Sequence, residues 1–127
     1  MGGLFIAFFA CFHYNMREVS VMSEEMLIIS FHALWDSAPF QVRLTRADHM
    51  VLAVNRAGKA LGALCGVRCC DNGNPAQHVG CMAQAALEAR KACWGWNPAG
   101  TKLRFWIPVE GTDCYVHYSL TKEQIGE

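Results

Sequence analysis

The chain carries no net charge, because eleven basic residues balance eleven acidic ones. Any electrostatic preference for a partner must therefore come from the layout of charge and not from its total. No apolar run is long enough to cross a bilayer. The run at 4–12 (LFIAFFACF) falls well short of the ~20 residues a spanning helix needs. No Lys or Arg precedes it, as one would in a secretory signal, so the expectation is a buried or edge strand. Catalytic signatures are missing too. Gly58-x3-Gly62 lacks the Lys-Ser/Thr ending of a phosphate-binding loop, and neither HExxH nor GxSxG occurs. His13, His32, His49, His78 and His117 form no i, i+4 pair, and Asp36, Asp48, Asp71 and Asp113 are scattered where turns and caps use Asp structurally. No catalytic residue and no cofactor is expected from this pattern.

What is present points to one folded unit. A length of 127 residues suits a single core, and an apolar fraction of 53% argues against disorder. The expected domain is 1–127, with an N-terminal extension over 1–25 and a polar, frayed tail over 121–127. Charge is segregated along the chain. Residues 43–104 hold nine basic and three acidic side chains, while each flank holds one basic and four acidic ones. This basic middle makes nucleic acid one partner class to weigh.

Cysteine is abundant, seven in all and four of them within Cys65–Cys81 (CGVRCCDNGNPAQHVGC). An odd number argues against a secreted disulfide framework and for reduced thiols in the cytoplasm. Cys65, Cys69, His78 and Cys81 have zinc-ligand chemistry, but their spacing matches no standard knuckle or ribbon. Cys81 with His78 three residues earlier also has the residue types of a thiol nucleophile and its base. Small buried or loop thiols are the simpler reading, with no metal site.

Secondary structure reads as follows. Met26–His32 (MLIISFH) looks like a buried strand, and Phe40–Leu44 alternates, with Phe40, Val42 and Leu44 opposite Gln41 and Arg43. Thr45 and Asp48 resemble a capping box opening a helix whose apolar stripe is Met50, Val54, Ala57, Leu61 and Leu64, closed near Gly66. Asn74-Pro75 starts a second helix reaching Cys93, with Trp94 and Trp96 anchoring its exit in the core. The two helices are expected to pack through Gly58, Gly62, Ala83 and Ala86. Leu103–Val109 and Cys114–Leu120 form a hairpin around Glu110–Asp113, with Gly111 in the turn. The fold class is α+β, a two-layer sandwich of antiparallel hairpins with two α-helices on one face, in ββααββ order with room for an extra N-terminal strand.

The hairpin register supplies the candidate site. Leu103, Phe105, Ile107 and Val109 share an apolar face with Cys114, Val116, Tyr118 and Leu120. Arg104, Trp106, Tyr115 and His117 share the other face, which has the composition of an interface. The sequence points to a small non-enzymatic interaction module, a regulator or inhibitor that binds a larger protein or assembly through this second face. A second copy of the chain is a further partner, and no membrane span is expected. A zinc or thiol protein using Cys65–Cys81 and a nucleic-acid binder using 43–104 are the alternatives.

Overall fold

The computed structural model describes residues 23–71 and 78–126, so the run at 4–12 and the Asn74-Pro75 helix start lie outside the described residues. The chain opens with helix α1 (Glu24–Trp35). Strands β1 (Val42–Arg46) and β2 (Val51–Val54) follow, then the short helix α2 (Arg56–Ala60) and a 3-10 turn at Cys69–Asp71. Helix α3 (Ala83–Ala89) leads into β3 (Cys93–Trp96), β4 (Lys102–Pro108) and β5 (Cys114–Thr121), and α4 (Lys122–Ile125) ends the fold. The strands make one antiparallel sheet in the order β2-β1-β5-β4-β3. The α+β class and antiparallel hairpins stand. The ββααββ order and the single helical layer do not, because α1 and α3 cover opposite faces of the sheet.

Local chemistry explains each departure. Met26–His32 is helical because Ser23 caps it, its side chain accepting the Met26 N–H at 3.2 Å, with Glu24 and Glu25 in the first turn. Leu27 and Phe31 repeat at a step of four and are buried on the sheet, with Trp35 packed beside them. Each fully buried side chain of this kind contributes roughly 1.5–3 kcal/mol. Thr45 and Asp48 form a hairpin corner instead of a helix start. The Asp48 carboxylate accepts from Arg46 Nε and Nη2 at 3.0 and 2.8 Å and from the Met50 N–H at 3.2 Å, while His49 takes φ 71°. Arg46 also donates to Glu24 at 2.6 Å, tying α1 to the corner. The apolar residues from Val51 to Val54 then run along a strand, not a helix stripe.

Asn55 locks these parts together. It is fully buried; its Oδ1 accepts from the Val42 and Gly58 N–H groups at 2.9 and 3.0 Å, and its Nδ2 donates to the Trp35 and Phe40 carbonyls, both at 2.9 Å. One side chain thus caps α2, closes α1 and holds the entry to β1. The tight glycine is Gly58, where an added Cβ would collide with Val54 Cγ1 and lie 2.9 Å from Gln41 Cγ. Gly62 meets nothing within 4 Å and is needed for its φ of +86°, so the expected helix–helix packing through Gly62 is corrected.

The second helix is shorter than its periodicity suggests. Arg90 at φ 54° ends α3, and Cys93–Trp96 alternates as an edge strand. Trp94 and Trp96 consequently stand 62% and 43% exposed, not anchored in the core. The β4–β5 hairpin has the expected register, with Leu103, Phe105 and Ile107 opposite Leu120, Tyr118 and Val116. The tail is more ordered than a frayed end, since Thr121 and Gln124 close a capping box over α4.

Candidate binding face

The α3 face of the sheet gathers the polar side chains. Register aligns Cys93, Trp106, His117 and Arg43 in one cross-strand row, with Arg104 and Ser119 in the next and Pro108, Tyr115 and Thr45 on the other side. All four residues singled out by sequence therefore share a face, but that face is not open over its whole length. Trp106 and Tyr115 are each 2% exposed, packed with Ala83, Ala86 and Leu87 of α3. The expected open aromatic surface is corrected: Trp106 and Tyr115 are the floor of a second core. Burial pushes the Tyr115 hydroxyl upward.

Arg104 and His117 border that core. The Arg104 guanidinium lies 5.1 Å from the Trp106 ring centroid and donates from Nη1 to the Val79 carbonyl at 2.8 Å and from Nη2 to the Gly80 carbonyl at 3.4 Å. Its Nε–H is buried without an acceptor among the described residues. His117 stacks on Trp106 at 5.0 Å, and its Nδ1 donates to the Phe105 carbonyl at 2.8 Å. Burial, and then the Arg43 charge, push His117 down to about 4, so the ring is neutral at pH 7.

A cleft of about 670 Å³ opens beside these residues, between the end of α2 and the β3–β4 turn. Arg43, Lys102, Arg104 and His117 line it together with Gln41 and Ser119, and none of its described lining residues is acidic. Arg43, Lys102 and Gln41 were not singled out from sequence. The visible signal was the polar side of the Phe40–Leu44 alternation, which already carried Gln41 and Arg43.

The described cysteines form no metal-holding group. Among the described residues no group of three or more His, Cys, Asp or Glu could hold a metal ion, so the zinc alternative at Cys65, Cys69, His78 and Cys81 gains no support. Cys65, Cys70 and Cys81 are exposed free thiols, Cys69 and Cys93 are half-buried, and Cys114 is buried. Cys81 precedes α3 instead of lying within it, so the helix-based argument for a nucleophile falls away. Burial raises the Cys69 thiol and pushes Cys114 up to about 12.

The opposite face is aromatic. Trp35, Phe40 and Phe105 surround the Tyr118 ring at 5.7, 5.3 and 4.8 Å, and Trp94 sits across from Phe105 on the edge strand. No described helix is long and apolar enough to cross a membrane.

No protein-family model matches the sequence, and no curated protein matches it. Solved structures do. A sensory box sensor histidine kinase from Vibrio cholerae superposes with a TM-score of 0.56 at 16% identity, over 77% of this chain and 89% of that one. The fold is sensory-box-like. Two further similarities have lower TM-scores. The PAS domain of an HTR-like protein from Haloarcula marismortui gives 0.43 at 18% identity, over 76% of this chain and 93% of that one. The PAS domain of BvgS from Bordetella pertussis gives 0.44 at 12% identity, over 80% and 86%. Identity at this level speaks to the sensory-box-like fold alone, and the comparison rests on the first structure.

Proposed function

We propose that the protein is a non-enzymatic interaction module of sensory-box-like fold, a regulator that docks on a larger protein through its α1 face. The observation that carries this is the placement of Trp94 and Trp96. They project from edge strand β3, 62% and 43% exposed, beside the half-buried Leu103 and Phe105. Exposed α1 residues Ile29 and Leu34 add apolar surface on the helix that covers this sheet face. Exposed aromatics next to a rigid sheet have the composition of an interface core, and they cost solubility unless something covers them. The fold similarity to a sensor histidine kinase supports a regulatory role.

Affinity capture from the native cell, run in parallel with Trp94→Ser/Trp96→Ser, tests the reading. The native chain should retain a stoichiometric partner that the double variant loses at an unchanged melting temperature. Retention of the same partner by the variant would contradict it, and light scattering would reveal a second copy as the occupant instead.

A further inference from the structure

The two edges of the sheet differ in what covers them. Edge strand β2 is closed by its own chain: the Val51 N–H donates to the Val67 carbonyl at 2.9 Å, the Val51 carbonyl accepts from the Gly66 N–H at 2.8 Å, and Met50 bridges Arg68. Among the described strands β3 pairs only with β4. The Asn97 N–H donates to the Lys102 carbonyl at 2.9 Å, so residue 97 turns its main-chain groups toward β4. Alternation turns Cys93 and Gly95 the same way and points the N–H and C=O groups of Trp94 and Trp96 out of the sheet. Nothing within the strand blunts this edge: Cys93–Trp96 contains no charge and no proline, and its register with β4 has no bulge.

We propose, resting on the docking of a larger protein at Trp94 and Trp96, that this partner adds an extended, acid-flanked strand to the open edge of β3. The outward N–H and C=O groups of the two tryptophans offer four ladder bonds to such a strand. Its apolar side chains, at alternate positions, lie beside Trp94 and Trp96 on the α1 face. The other set passes Gly95, where Met82 Sδ is 4.0 Å from the place a Cβ would take and Met82 is 37% exposed. Charge selects the flanks of the strand. Between Glu88 and Glu110 the sequence holds Arg90, Lys91, Lys102 and Arg104 and no carboxylate. Arg104 is buried and Arg90 is bonded to the Thr112 carbonyl, but Lys91 and Lys102 stand exposed near the two ends of β3. The Lys122 Nζ adds a third cation, 5.8 Å from the Trp96 ring centroid. Glu110 in the β4–β5 turn and Glu123 on α4 offset only part of this, so the edge is net basic and complementary to an acidic segment. The same charges disfavour a second copy. Antiparallel pairing of two β3 strands about Gly95 would bring Lys91 of one copy toward the turn that carries Lys102 of the other.

NMR titration of the full chain with synthetic peptides tests this. The probe alternates valine and threonine and carries two glutamates at each end. One control has lysines in place of the glutamates, and another has N-methyl groups on every central amide. The probe should saturate and protect the Trp94 and Trp96 amides from hydrogen exchange, and the N-methylated peptide should not bind. The lysine-flanked peptide should bind at least about fivefold more weakly at low salt, with the gap closing as salt rises. Lys91→Glu/Lys102→Glu should reverse that order, and thermal melting checks that this surface variant folds. No saturation by about 10 mM, equal binding of the N-methylated peptide, or equal affinity for both flanks would each overturn the proposal. Trp94 and Trp96 amides already protected in the free chain would overturn it too, and sedimentation would then tell a second copy from the chain's own cover. Absent peptide binding, with the native partner still lost by Trp94→Ser/Trp96→Ser, removes strand addition and leaves side-chain docking standing. Retention of that partner by the double variant removes the docking itself.

Discussion

The two faces of the sheet are made by the same strands and behave as different materials. On the α1 face β5 presents Cys114, Val116 and Tyr118 to Leu27, Phe31 and Trp35, all apolar or aromatic. One residue out of step, the same strand presents Tyr115, His117 and Ser119 on the α3 face, toward Arg43, Trp106 and Arg104. The first face holds the fold by dry burial, which responds little to pH. The second mixes an aromatic core with cationic groups partly withdrawn from water, an arrangement that costs stability and is usually kept for a site.

The largest expected contrast is between two tryptophans. Trp106→Ala should cost on the order of 3–5 kcal/mol by urea denaturation, since it empties the core under α3. Trp94→Ala should stay within about 0.5 kcal/mol, as surface changes do. Equal costs would erase the distinction between a packed α3 face and an open edge on the other.

Next comes the residue that locks α1 to the sheet. Asn55→Ala leaves two carbonyls and two N–H groups without their partner, and should cost on the order of 3 kcal/mol. Asn55→Asp should be harmful too, because a carboxylate cannot donate to the Trp35 and Phe40 carbonyls. A mild Asn55→Asp would show that these donations matter little.

pH separates the faces directly. His117 has its folded pKa depressed to about 4, so the unfolded chain binds a proton more readily between that value and its ordinary 6.5. Its contribution is fully present above about pH 6.5 and falls by on the order of 2–3 kcal/mol as pH drops toward 4. His117→Gln should flatten this slope in denaturation curves. Cys114 on the α1 face, pushed up to about 12, stays protonated throughout the window. Asp48, held down to about 2 by Arg46, loses its stabilisation at lower pH still, between about 4 and 2.

The smallest effect sharpens the glycine assignments. Gly58→Ala should destabilise by about 1–3 kcal/mol through the clash with Val54 and Gln41. Gly62→Ala should cost about 1–2 kcal/mol from its left-handed backbone alone, with no packing term.

The β4–β5 hairpin was legible because strict two-residue alternation and Gly111 agree, and a local pair fixes its own register. Elsewhere, periods misled. Met50, Val54, Ala57 and Leu61 step by four and three, yet Asp48 serves a hairpin corner and the stripe is cut by Asn55. In Met26–Trp35, residue type suggested a strand, while Ser23 and the Leu27, Phe31, Trp35 spacing carried the helix. Trp94-Gly95-Trp96 has strand period, but the helical periodicity running up to Cys93 masks it. The site was half visible. Arg104, Trp106, Tyr115 and His117 follow from the hairpin alone, but Arg43 joins them only through β1–β5 pairing across more than seventy residues. No local pattern encodes that pairing, or the placing of α3 over Trp106.

The most direct test of two chemically distinct faces is the NMR titration of the His117 imidazole in the unliganded native chain. Packed on Trp106 beside Arg43 and Arg104, it should titrate near 4, and Arg43→Gln should move it upward. A titration near the ordinary value of about 6.5, unmoved by Arg43→Gln, would contradict the account by placing His117 in water and away from that charge.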